Sequence, residues 1–219
     1  GFPKVMATTV ASGTRKFELV VGDKDIMVMP AICDFTGMNI VTRQVIANAC
    51  AACVGMVKSA GHVLKKGDKP VVAVTLMGVT NNGAVAAVEE LERVGLEVIG
   101  FHATGEGGAT MEKMAEEGLV DGILDLTLHE LTSEYFGGGF SYGEAANTRL
   151  VKSVDKKVPL VISLGGLGFV GFSTNELPGR MDERKYMLHN ANTAHIKILP
   201  EEAKALGEIV AERLSKVTY

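Results

Sequence analysis

Two rhythms of apolar residues alternate along this chain. Short unbroken runs such as "PVVAVTLM" (70–77), "EVIGFHA" (97–103), "GILDLT" (122–127) and "PLVISLG" (159–165) read as strands. Their continuity, in place of an in–out alternation, is the pattern of strands covered on both faces. "KVMATTV" (4–10), "DIMVMP" (25–30) and "AHIKIL" (194–199) add three more candidates. Between them, segments with helical spacing cover 42–64, 82–94, 108–118, 128–136, 143–154 and 200–217. Strand and helix in alternation predict an α/β fold: a doubly wound, largely parallel sheet with helices on both faces, Rossmann-like, in a single domain over 1–219. One long stretch, 166–186, "GLGFVGFSTNELPGRMDERKY", reads as a loop, either a lid or subunit arm or a plain excursion.

A parallel sheet has two unequal edges, and ligands bind outside the carboxyl ends of its strands. The amino ends here are plain solvating turns such as "GDK" and "DKKV". The carboxyl ends read "TTVASGT" (8–14), "MPAICD" (29–34), "TLMGVTNNG" (75–83), "HATGEGG" (102–108), "DLTLHE" (125–130) and "SLGGLG" (163–168). Glycine, hydroxyl, amide and imidazole groups thus collect on one edge. Bare backbone at a strand-to-helix turn exposes unpaired N–H groups beside the positive end of the helix dipole, a site for phosphate or carboxylate. "HATGEGGATME" fits that description. Amides of Gly105, Glu106, Gly107, Gly108, Ala109 and Thr110 would hold an anion, with the Thr104 or Thr110 hydroxyl in reach. "TLMGVTNNG" repeats the arrangement, with Thr80 and Asn81 as side-chain donors, and Gly165 and Gly166 close a further strand. The plain alternative is that these residues only cap helices and tighten turns. Neither turn matches the dinucleotide or P-loop fingerprint.

Of five histidines, His102 and His189 are the candidates to orient a ligand or, with Asp34 and Asp125, to make an acid–base pair; a buried histidine that anchors a loop is the plain alternative for His102. Spacing shows no close metal-ligand motif, so no metal is expected at these positions. Glu106 within the glycine turn would repel phosphate; it turns to solvent, binds a ribose hydroxyl or holds Mg²⁺ beside a phosphate, and the sequence leaves the three open. Cys50 and Cys53 lie three apart in an apolar helix and read as core packing, since redox pairs sit at a helix start.

Composition narrows the class. The chain is 47% hydrophobic and 22% charged with net charge −4, a globular balance that offers nucleic acid no basic surface. Three cysteines do not make a disulfide framework, which points to the cytoplasm. "VIANACAACVGMV" (45–57), between Arg43 and Lys58, is 13 residues long; it reads as a buried helix too short to span a bilayer, with small residues suited to close packing in the core or across a dimer.

Taken together, "GFPKVMATTVASG", "DFTGMN", "GVTNNGAVAAVEELE", "GFHATGEGGATMEKMAEEGLVDGILDLTLHEL" and "HNANT" resemble an uncharacterised protein family of bacteria, fungi and plants. That family includes the ATP-binding N-terminal region of the tomato mosaic virus resistance protein. The resemblance runs along nearly the whole chain and departs from the family pattern at "GGLGFVGF". It implies two α/β subdomains in tandem, of which this chain is similar to the second, so the first subdomain of the same protein would be a partner. It also implies binding of ATP or a related nucleotide, with Mg²⁺ as its companion, and a homo-oligomer. Carried over residue by residue, it adds Ser12, Gly13 and the pair His189–Asn190 to Thr80, Thr104 and the glycine turn. From residues and resemblance together, the expected function is the binding of a small-molecule anion, nucleotide-like, at the carboxyl edge. A metabolic hydrolase or lyase using His102 or His189, and an oligomerisation module, are the alternatives.

Overall fold

A computed structural model describes residues 2–9, 21–22, 24–59, 66–137, 149–174 and 184–216. The chain divides into two compact units, Gly1–Lys65 and Lys66–Tyr219, a boundary the apolar pattern alone does not mark.

In the first unit, β1 (Val5–Thr8) and β2 (Met27–Pro30) pair in parallel, and α1 (Ile40–Lys58) packs on β1. Asn39 caps α1 by accepting the Val41 and Thr42 amides, while Thr42 answers the Asn39 amide. The helix is not the buried element expected. It runs for 19 residues, long and apolar enough by length and composition to cross a membrane. Among the described residues two short strands are what it has to pack on, and of the helix itself Thr42 and Val45 are buried, Cys50 is exposed and Cys53 half-buried.

The second unit carries the predicted parallel sheet. Its strands are β3 (Val71–Leu76), β4 (Glu97–His102), β5 (Gly122–Asp125) and β6 (Leu160–Ile162), in the order β4-β3-β5-β6. Helices α2 (Asn81–Arg93), α3 (Glu106–Glu116), α4 (His129–Tyr135) and α5 (Lys152–Asp155) flank it in a Rossmann-like arrangement. The chain passes from β3 out to β4 and returns to β5 on the other side of β3. The crevice at the carboxyl ends of β3 and β5 is therefore the topological switch point. One core cluster joins Val71, Ala73, Phe101, Met111 and Ile123 between sheet and α3.

The rest of the unit is not parallel. β7 (Phe169–Ser173), β8 (Tyr186–Asn190) and β9 (Thr193–Lys197) form an antiparallel sheet in the order β7-β9-β8, and α6 (Pro200–Ser215) closes the unit. Both described ends of the expected loop 166–186 thus reach into strands. Leu128, Leu131, Leu167, Ile198 and Leu206 make the second core cluster, which ties α4 and α6 to this sheet.

Candidate functional site

Bare backbone in "HATGEGG" has a specific cause. Gly105 takes φ 121°, a conformation closed to ordinary side chains. A Cβ on Gly107 would strike the His102 carbonyl, and one on Gly108 would strike the Glu130 carboxylate. The predicted anion is present and belongs to the protein. Glu130 Oε1 accepts the amides of Gly105 and Gly108 at 3.0 and 3.1 Å. The turn therefore receives an internal carboxylate where the sequence suggested a ligand's. Thr110 is turned inward too, its hydroxyl donating to the Glu106 carbonyl.

Behind Glu130 lies a buried charge cluster. Arg149, fully buried, donates from Nη1 to Glu130 and from Nη2 to Asp125 at 2.6 and 2.5 Å. Asp125 also accepts the Thr75 hydroxyl at 2.6 Å, and the Thr127 amide donates to that hydroxyl oxygen, which joins β3 to β5 at the switch point. Glu112 accepts the Leu150 and Ser153 amides and the Ser153 hydroxyl. Burial pushes the carboxyls of Glu130 and Glu112 above the ordinary range, against the pull of Arg149 and of the amides. Burial alone would loosen the Arg149 proton, but Asp125 and Glu130 hold the guanidinium charged. Asp125 is thereby committed to structure. Thr80 is likewise engaged, with the Met77 amide at 3.0 Å and the Thr127 hydroxyl at 2.7 Å.

The open ground lies just above the cluster. A cleft of about 490 Å³ is lined by Met77, Gly78 and Val79 at the end of β3, by His102 and Thr104 after β4, by His129, and by residues of the antiparallel sheet. That volume suits a small ligand. Gly78–Thr80 is a turn of 3₁₀ helix leading into α2, so its first amides have no intrahelical partner. Four rings stand in a row along one wall. His129 and Phe169 have centroids 4.6 Å apart, Phe169 and His195 4.8 Å, and His195 and His189 4.7 Å with planes 16° apart. The His129 Nδ1 lies 2.9 Å from the Gly166 carbonyl. A carbonyl only accepts, so Nδ1 carries the proton and neutral His129 keeps an acceptor at Nε2. Burial lowers the His129 pKa, the Gly166 carbonyl partly offsetting it; burial and then His189 lower that of His195. Stacked rings do not converge their nitrogens, and no three metal-ligating side chains gather among the described residues.

Of the candidates read from the sequence, His102, Thr104, His189 and Asn190 meet in this cleft. Gly165 and Gly166 stand behind it: Gly165 accepts the Leu128 amide and Gly166 orients His129. Asn81 is exposed on the first turn of α2, and Ser12 and Gly13 lie outside the described residues. Asp34 borders a smaller cleft of about 270 Å³ in the first unit, at the ends of β1 and β2. His129 and His195 line the cleft as well, and strand-end reasoning from the sequence misses them. A signal for each was present, His129 within the carboxyl-end stretch "DLTLHE" and His195 at the odd position of an alternating strand. A larger cleft of about 560 Å³ near Lys185, Lys197 and Pro200 lies away from the strand ends and gathers none of these groups.

Residues 66–219 thus form a Rossmann-like α/β unit with a histidine-lined cleft at its switch point. The chain belongs to the Uncharacterised protein family (UPF0261): residues 69–219 match its C-terminal domain and 1–62 its N-terminal domain. It is 38% identical to a UPF0261 protein of Clostridium tetani, over 99% of this chain and 52% of that one. Identity is 35% to the ToMV resistance protein Tm-1(GCR237) of Solanum lycopersicum, over 100% of this chain and 29% of that protein. A UPF0261 protein of Rhizobium meliloti is 35% identical over 98% of this chain and 52% of its own length. The chain spans about half the length of the bacterial relatives it matches.

Proposed function

We propose that the second unit binds a small anionic molecule, a nucleotide by family resemblance, in the cleft above β3. The carrying observation is the coincidence at one switch point of exposed helix-start amides, a ligand-sized cavity and four imidazoles. The anionic group would lie on the amides of Gly78 and Val79. Thr104, Asn190 and Thr193 would supply polar contacts, and Met77, Phe169 and Met187 an apolar wall. ATP with Mg²⁺ is the first ligand to try. One observation favours an enzyme as the second reading: the oriented His129, with Nε2 free to take a proton, is suited to general-base work. The expected homo-oligomer would find its surface on edge strand β8, where Tyr186, Met187 and Leu188 are all exposed.

Gly78→Pro tests the reading with little damage to the fold. Proline is favoured at the first position of a helix, Met77 before it is already extended, and a Cβ at Gly78 meets nothing within 4 Å. The substitution deletes one amide donor and leaves the backbone in place. Loss of one hydrogen bond to a charged group, about 1.5–3 kcal/mol, lowers affinity roughly 10- to 150-fold. A thermal-shift panel of ATP, ADP, AMP, phosphate and sulfate, with and without Mg²⁺, reads this directly. Equal shifts for wild type and Gly78→Pro with every anion would end the proposal.

A further inference from the structure

Resting on that binding reading, we infer that the cleft takes its anion together with a proton, which the stacked His189–His195 pair accepts and shares. Among the lining residues the ionisable side chains are all imidazoles: His102, His129, His189 and His195. No lysine or arginine of the lining offers an anion permanent charge. Helix-start amides supply partial charge only, so a dianion drawn out of water needs a cation raised on the spot. Imidazole is the side chain able to supply one near neutral pH.

Geometry selects the pair. His129 is buried with Nδ1 committed to the Gly166 carbonyl, so a proton on Nε2 would charge a dry ring. His189 is exposed and His195 half-buried, with rings nearly parallel at 4.7 Å. Two rings so placed take one proton readily and resist a second, because like charges would face each other across the stack. Neighbouring charges leave this unchanged. Glu130 on α4 is held by Arg149 and by the amides of the glycine turn. Glu106 opens α3 outside the lining. Lys185 and Lys197, two residues along from Met187 and His195, line the neighbouring cleft and oppose protonation before an anion arrives. Burial, and then the neighbouring His189, lower the pKa of His195, which favours the neutral form of that ring before an anion arrives.

Sulfate is the probe, since it stays doubly charged across the range in which imidazole titrates. Titration calorimetry of the full chain near pH 7, in two buffers of different ionisation enthalpy, counts protons taken up with sulfate. The expected count approaches about one per sulfate, with affinity falling by up to about tenfold per pH unit as pH rises. In His189→Gln and His195→Gln the uptake is lost, while sulfate still binds through the helix start with weakened affinity. His189 is exposed, so that variant keeps the test valid should His195→Gln fold poorly. Sulfate binding with no uptake and no dependence on pH would overturn the inference and leave the binding reading standing. So would uptake that survives both substitutions, since the proton then lands elsewhere. No sulfate binding at any pH, by heat or by thermal shift, would remove both.

Discussion

Arg149→Met should destabilise the second unit severely, and the loss should shrink in acid. The side chain is fully buried and donates two hydrogen bonds to Asp125 and one to Glu130. Removing one partner of a buried ion pair costs about 3–5 kcal/mol, because it strands uncompensated charge. Both carboxylates here keep other donors: Asp125 the Thr75 hydroxyl, Glu130 the amides of Gly105 and Gly108. The loss should therefore fall near the lower end, about 3 kcal/mol at neutral pH, still a large part of a typical domain's stability. The pH dependence follows from sign. Glu130 and Glu112 already have raised pKa values, and losing the guanidinium raises them further. A carboxyl that holds its proton in the folded chain and loses it in the unfolded one adds stability as pH falls, up to about 1.4 kcal/mol per unit. The deficit should thus drop by about 1 kcal/mol or more between about pH 7.5 and 5.5. Hydrogen exchange of peptides covering β3 reads this unit by itself, and the chain has no tryptophan to report by fluorescence. Adding Glu130→Gln should restore part of the loss. A deficit below about 1 kcal/mol at neutral pH, or one equal at both pH values, would refute the charge-cluster reasoning.

Two further outcomes follow from packing and burial. The lowered pKa of His129 means the unfolded chain binds the proton more tightly, so its contribution to stability is complete above about pH 6.5 and is lost as pH falls through the folded value. His129→Gln should flatten that acid limb in thermal melts while leaving the curve above about pH 7 parallel to wild type. Two glycine-to-alanine changes should have opposite signs by urea titration. Gly107→Ala drives a Cβ into the His102 carbonyl and should cost about 1–3 kcal/mol, whereas Gly83→Ala on α2, with no atom within 4 Å of the new Cβ, should gain about 0.5–1 kcal/mol.

How much of this was legible in the sequence depends on how local each feature is. β3 to β6 announce themselves because strands covered on both faces are continuous apolar runs. β7 and β8 do not: Gly171 interrupts one, and the other, "YMLHN", is exposed at every position and so shows no buried alternation. α1 reads as buried because apolar composition normally means burial, yet among the described residues of its unit β1 is the element it chiefly packs on. In the site, His102, Thr104, His189 and Asn190 could be found because the carboxyl-edge rule needs only strand ends. The stack of His129, Phe169, His195 and His189 joins distant segments that no spacing rule connects. Arg149 sits in a polar-looking stretch, and a buried guanidinium reads there like a solvated one. Its acids did leave a trace: Glu112 lies beside Met111, and Glu130 between Leu128 and Leu131.

Two helices of the second unit begin behind glycine at the same edge, and their different endings bear on how a ligand would lie. Both starts carry unpaired amides and the positive end of a dipole. At α3 that charge is met by Glu130, and Glu130 by Arg149, so the account closes inside the protein. At Gly78 no such carboxylate approaches among the described lining residues, and the nearby Thr80 hydroxyl turns back to Met77. A ligand in the proposed cleft therefore has a direction: its anionic end at Gly78 and Val79, its apolar body toward Phe169 and Met187. The reverse pose would cover those amides with apolar atoms, at about 1–3 kcal/mol for each amide buried without a partner. Polarity at one end and apolar contact at the other thus favour a single orientation.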